Sequence, residues 1–139
     1  MQKLTHFVVG AAIGMMFALV NFGDWYWFVL MGVFGAFLPD FLDFQVFGGR
    51  NHRNIVTHNF LSPLLLGFLL LGVILRDPFL VGCGITAFES HQLLDMHNPT
   101  GVYLWNRKIG GSVRYDNISV NLVYILGGSF VILMIFLYM

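Results

Sequence analysis

A few polar side chains in an otherwise apolar chain have the types and spacing to hold a divalent ion. His91 and Asp95 stand four residues apart, so on a helix they share one face with β-carbons about 5–6 Å apart. One imidazole and one carboxylate at that distance suit zinc, which accepts both ligand types at roughly 2.0–2.2 Å. Taken alone the pair is unspecific, because a helix-capping aspartate beside an interfacial histidine looks the same. A second stretch adds to it. Pro39–His58, reading PDFLDFQVFGGRNHRNIVTH, carries two of the seven acids, two of the five histidines and two of the seven basic residues. Asp40 and Asp43 would repel each other unless a cation or protons intervened, although each also reads as an N-cap. His52 and His58 flank Arg53 and Thr57, and His6 stands at the mouth of the first apolar run. This mixture of imidazole and carboxylate suits zinc first, with manganese or iron as alternatives, and has room for one or two ions. Cys83, the only cysteine, lies inside an apolar run, which excludes both a thiolate cluster and an intrachain disulfide.

The elements that must position these residues belong in a membrane. Of 139 residues, 58% are hydrophobic and only 10% charged, with a mean hydropathy of +0.78. A soluble domain carries about 25% charged residues. Formal net charge is zero, so no phosphate-tracking footprint exists and nucleic acid is not a partner. The lipid bilayer is. The apolar runs predict an all-α integral membrane protein, one domain over residues 1–139, with five transmembrane or membrane-embedded helices near 7–20, 25–38, 59–75, 79–95 and 119–139. The first run resembles a signal peptide but lacks a small-residue cleavage signature, so it is expected to stay as a helix. Trp25, Tyr26 and Trp27 anchor the first turn at an interface. Gly10 and Gly14 form a small-residue surface for a close helix neighbour, and a homo-oligomer is allowed but not specified. Pro39 is expected to help end the second helix, and Arg76-Asp77-Pro78 to turn the chain. Asn117-Ile118-Ser119 matches a glycosylation sequon by chance. Gly110-Gly111 offers a turn for a small hairpin, without requiring one.

Five spans place the two polar loops, 39–58 and 96–118, on one face with the N-terminus. Lys3, Arg50, Arg53, Arg107, Lys108 and Arg114 fall on that face and only Arg76 opposite. Basic residues favour the cytoplasmic side, so the reading is a multi-pass inner (cytoplasmic) membrane protein, both loops cytoplasmic and the C-terminus outside. All five histidines come to the cytoplasmic face.

At the level of motifs the chain resembles the family of small inner-membrane metal-dependent hydrolases typified by YdjM. Its pattern is an early His, then LPDxDH, HRxxTHS, and SHxLxD followed by a Pro-Gly segment. The matches here are His6, Leu38-Pro39-Asp40 with Asp43, His52-Arg53 with Thr57-His58, and Ser90-His91-Gln92-Leu93-Leu94-Asp95 running into Pro99-Thr100-Gly101. Two residues rather than one separate the aspartates, and three rather than two separate His-Arg from Thr-His. The correspondence is therefore firmest at His58, His91 and Asp95, with Asp40 and His6 next. The resemblance implies metal ligands among His6, Asp40, Asp43, His52, His58, His91 and Asp95. It extends, distantly, to zinc-dependent phospholipase C and the P1-type nucleases, helical phosphodiesterases with His-x-x-x-Asp/Glu ligand pairs.

The expected function is metal-assisted hydrolysis at the cytoplasmic membrane surface, of a phosphoester such as a phospholipid. Arg53 would clamp phosphate oxygens with its planar fork, Asp43 would complete the site or accept a proton, and Thr57 and Ser90 would orient ligands. The rival is a non-catalytic metal-binding membrane protein, a regulator or small carrier with a structural site. A carrier would want ligands along a mid-membrane path, whereas these gather at one face. Neither H-E-x-x-H nor G-x-S-x-G occurs.

Overall fold

Apolar runs punctuated by turn residues become five helices. The computed structural model describes residues 3–21, 24–46, 53–114 and 116–138. It contains α1 (Lys3–Asn21), α2 (Trp25–Gln45), α3 (Leu64–Leu75), α4 (Pro78–Met96) and α5 (Ile118–Tyr138), with an antiparallel hairpin of β1 (Val102–Leu104) and β2 (Arg107–Ile109) before the last helix. The chain is an all-α membrane protein in which α1, α2 and α5 are long and apolar enough to cross a bilayer. α3, at 12 residues, rises only about 18 Å, short of the roughly 30 Å of hydrocarbon. The run from residue 59 begins as a turn instead, because Asn59 Oδ1 accepts from Leu61 N at 3.0 Å and Ser62 Oγ from Leu64 N at 3.1 Å. Such local side-chain bonds compete with helix until Pro63 opens it.

The second helix corrects a sequence expectation. α2 continues through Pro39 to Gln45, so Asp40 and Asp43 lie on a helix rather than in a loop. A proline inside a helix deprives the carbonyl four residues back of its donor and loosens that turn. In the same turn the Ala36 carbonyl is taken by the His91 ring, Nδ1 to O 2.7 Å.

Close backbone approach locks α1, α2 and α4 together. A Cβ added to Gly10 would stand 2.6 Å from the Gly32 carbonyl oxygen, and one added to Gly35 would collide with the Gly84 carbonyl. The small-residue surface read at Gly10 and Gly14 is thus used within the chain, against α2. The interior it encloses is the reverse of a soluble core. Apart from Phe88, Val102 and Pro39, the largest fully buried side chains are His6, His58, His91, Gln92, Asn98, Thr5, Thr57, Asp43 and Asp95. Large apolar side chains such as Leu70, Val73, Ile74, Val123 and Phe136 face outward, as a hydrocarbon solvent requires.

The hairpin turns at Trp105-Asn106, with Trp105 in the left-handed region at φ 60°, and not at Gly110-Gly111. Those glycines pack under the end of α4 instead, where a Cβ on Gly111 would stand 2.5 Å from the His97 carbonyl oxygen. Cys83 is fully buried, its Sγ donating to the Phe28 carbonyl at 3.3 Å. Asn117 of the chance sequon caps α5, accepting from Val120 N at 3.1 Å.

Candidate metal centre

The start of α1, the end of α2, the loop before α3 and the end of α4 converge, and each delivers one or more polar groups. Asp40 comes from α2, His58 from the loop, and His91 with Asp95 from one face of α4, as their four-residue spacing requires. One ligand atom from each lies within 4.8 Å of all the others. The Nε2 atoms of His58 and His91 are 3.2 Å apart. Asp40 Oδ1 is 3.5 Å from the first and 3.8 Å from the second. Asp95 Oδ2 is 3.5 Å from both. Tetrahedral ligands on bonds of about 2.0–2.1 Å are roughly 3.3–3.4 Å apart, so the histidine–histidine and histidine–carboxylate separations, 3.2–3.8 Å, lie near those a zinc-sized ion needs.

The outer bonds of the two rings decide what those facing nitrogens are. His91 Nδ1 meets the Ala36 carbonyl, which can only accept. His58 Nδ1 lies 3.1 Å from Asp43 Oδ2 and 3.1 Å from Thr57 Oγ1. Both Nδ1 positions therefore carry hydrogen, and both neutral rings would point lone pairs at each other across 3.2 Å. Only a cation or a proton between them makes that contact favourable. Burial opposes charge on His58, but the carboxylates of Asp40, Asp43 and Asp95 outweigh it and raise its pKa to about 10. Without metal, a proton on His58 satisfies the pair; a divalent ion would take the proton's place.

Asp43 stands one layer behind. Its carboxylate accepts from Arg53 N, from Asn54 Nδ2 at 3.0 Å and from the Thr57 hydroxyl, while facing His58. This is the carboxylate–histidine arrangement that fixes ring tautomer and orientation behind a metal. Arg53 adopts φ 64°, a left-handed conformation that costs a non-glycine residue energy, and this turns its N–H onto Asp43. Two of its guanidinium nitrogens engage Asp95, with Nη2 2.9 Å from Oδ2 and Nη1 3.4 Å from the backbone oxygen. Asn98 Nδ2 donates to Asp95 Oδ1 at 3.1 Å, and Gln92 Nε2 pins the loop through the Thr57 carbonyl at 2.9 Å.

A model of the YdjM inner membrane protein family matches residues 1–138. The chain belongs to that family. Comparison with curated proteins and with solved structures finds no match.

Within this YdjM-family fold, the residues anticipated from sequence take different places. Asp40, His58, His91 and Asp95 form the cluster. His6 is buried beside it, stacked on His91 with ring centroids 4.0 Å apart, and Asp43 and Arg53 support it from behind. His52 lies outside the described residues. Thr57 does orient its neighbours, but Ser90 spends its hydroxyl on the Ala87 carbonyl of its own helix at 2.7 Å. His97 is exposed and turned toward Tyr124 of α5. Sequence reasoning alone does not single out Gln92, Asn98, Asn54 or the Ala36 carbonyl. Gln92 was detectable in principle, since an amide one residue after a ligand histidine in an apolar helix needs a partner; the Ala36 carbonyl carries no side-chain signal at all.

Proposed function

We propose that this YdjM-family protein is a metal-dependent hydrolase of phosphoesters, phospholipids first among them, working at the cytoplasmic surface of the membrane. The observation that carries the reading is the pair of oriented Nε2 atoms 3.2 Å apart, flanked by two carboxylates. A divalent ion held by Asp40, His58, His91 and Asp95 would supply Lewis acidity to a phosphoryl oxygen and acidify water. The chain's own groups do the rest. Asp43 holds the His58 ring in place from behind. Arg53 fixes Asp95, and its Nε, buried and without a partner among the described residues, is a donor left over for a phosphoryl oxygen. Asp40, whose side chain is 19% exposed while His58 has none of its surface open, marks the side from which substrate reaches the site. Exposed Phe41 and Phe44 on that same stretch of α2 favour a substrate with an apolar part, as a phospholipid has.

The rival, a structural site in a non-catalytic metal-binding protein, draws support from the complete burial of His58, His91 and Asp95. Catalysis needs an open coordination position, and a closed tetrahedral set has none. The discriminating experiment uses purified protein in detergent, loaded with Zn²⁺ or Mn²⁺ and offered mixed phospholipid micelles and a chromogenic phosphodiester. Turnover that is lost with bound metal in His91→Ala and Asp95→Ala supports the hydrolase. Stoichiometric metal with no turnover on either substrate favours the structural site, and unchanged metal content in both variants refutes the site itself. Lys3, Arg107, Lys108 and Arg114 gather at the helix ends that carry the site, with Arg76 at the opposite end, and this asymmetry supports the cytoplasmic orientation; a reporter fused after Met139 that reads cytoplasmic overturns it.

A further inference from the structure

The four-residue cluster leaves one titratable side chain beside it unexplained. His6 on α1 is 1% exposed; among the described residues its Nδ1 has no hydrogen-bond partner, and its Nε2 meets Asp95 without an aligned hydrogen bond. A buried imidazole whose polar atoms are so poorly satisfied is costly. Its Nε2 points at Asp95, 3.4 Å from Oδ1, without hydrogen-bonding alignment.

We propose a second divalent-cation site at His6, bridged to the first by Asp95. The inference rests on the metal reading of the main cluster and adds an ion to it. The two oxygens of Asp95 are already divided between two directions. Oδ2 faces His58 Nε2 and His91 Nε2 at 3.5 Å each, whereas Oδ1 faces His6 Nε2 at 3.4 Å. A carboxylate that presents one oxygen to each of two nitrogen sets has the form of a bridging ligand. Ring geometry agrees. His6 and His91 stack with centroids 4.0 Å apart and planes inclined by only 23°. Both rings turn Nε2 toward the Asp95 carboxylate, His6 to Oδ1 at 3.4 Å and His91 to Oδ2 at 3.5 Å, and paired catalytic ions sit about 3.5–4 Å from each other. Asn98 Nδ2 on Oδ1 and Arg53 Nη2 on Oδ2 hold the carboxylate plane in this bridging pose. Only His6 and Asp95 are assigned to the second ion, so its remaining positions would go to solvent or to substrate oxygens.

The test counts ions in the full chain. Detergent-solubilised protein is saturated with Mn²⁺, freed of excess, and read by elemental analysis and by electron paramagnetic resonance. Wild type should hold two ions per chain with an exchange-coupled spectrum. His6→Ala and the size-preserving His6→Gln should hold one, with the six-line pattern of an isolated ion. Wild type with a single ion, or His6 variants that keep the coupled pair, overturns the second site while the first stands. Wild type with no ion overturns both.

Discussion

Asp43→Asn separates a residue that orients a ligand from one that is itself a ligand. The carboxylate accepts from the Arg53 backbone, Asn54 Nδ2 and the Thr57 hydroxyl, and it faces His58 Nδ1 at 3.1 Å. An amide of the same shape turns one oxygen into a donor, so a donor then faces a donor inside a closed pocket. Removing the partner that fixes a metal-ligating histidine costs about 10–100-fold in metal affinity, or about 1.4–2.8 kcal/mol. A second effect works the other way. Without the Asp43 charge, His58 holds its proton less firmly in the metal-free protein, and that proton competes with metal. The net loss should therefore fall near the lower end of the range, close to tenfold. Competition against a chromogenic zinc chelator in detergent measures it, with ion content at saturating zinc as the second readout. The expected variant binds the full complement of zinc, more weakly. Affinity within twofold of wild type would refute the orienting role. An ion missing at saturation would show instead that Asp43 ligates directly.

Metal uptake should also release protons at neutral pH. His58 has its pKa raised to about 10 by the surrounding carboxylates, and a ligating imidazole must be neutral. Zinc binding at pH 7 should thus expel about one proton, seen by calorimetry in buffers of different ionisation enthalpy; a buffer-independent enthalpy would contradict the assignment. The same shift fixes the pH dependence of the metal-free fold. Because the folded value lies above the ordinary 6.5, the contribution is complete below about pH 6.5 and is lost as pH climbs through about 10. Thermal unfolding of the chelator-treated protein should show that fall, and His58→Gln should flatten it.

Gly35→Val tests the framework, since a Cβ there collides with the Gly84 carbonyl where α2 meets α4. Overpacking of this kind costs about 1–3 kcal/mol and would part Asp40 from His91 and Asp95. Lower thermal stability together with weaker metal binding is expected, and wild-type affinity would show that the α2–α4 contact does not set the site.

Much of the site was legible before any coordinates because ionisable residues are costly in an apolar chain and therefore few. His91 and Asp95 needed only helical periodicity to share a face. Asp40 and His58 were found as members of a polar stretch, not through their geometry. Asp43 was misplaced in depth, since the expected break at Pro39 put both aspartates in a loop. With α2 continuous, a three-residue spacing sends Asp40 toward the cluster and Asp43 behind His58. The third span reads longer in the sequence than it is in the fold, because Asn59 and Ser62 sit in a hydrophobic run while their side chains cap backbone groups of a turn.

The sequence by itself determined the solvent of this fold and the chemical kind of its site. Hydropathy is a sum over residues, and His with Asp has few uses in a membrane other than binding protons or metal. What only the tertiary structure decided is which atom of each residue faces inward. That choice depends on partners distant in the chain, such as the Ala36 carbonyl for His91 and Asp43 for His58. No local pattern encodes them, because a ring's free nitrogen is set by whatever occupies the other one.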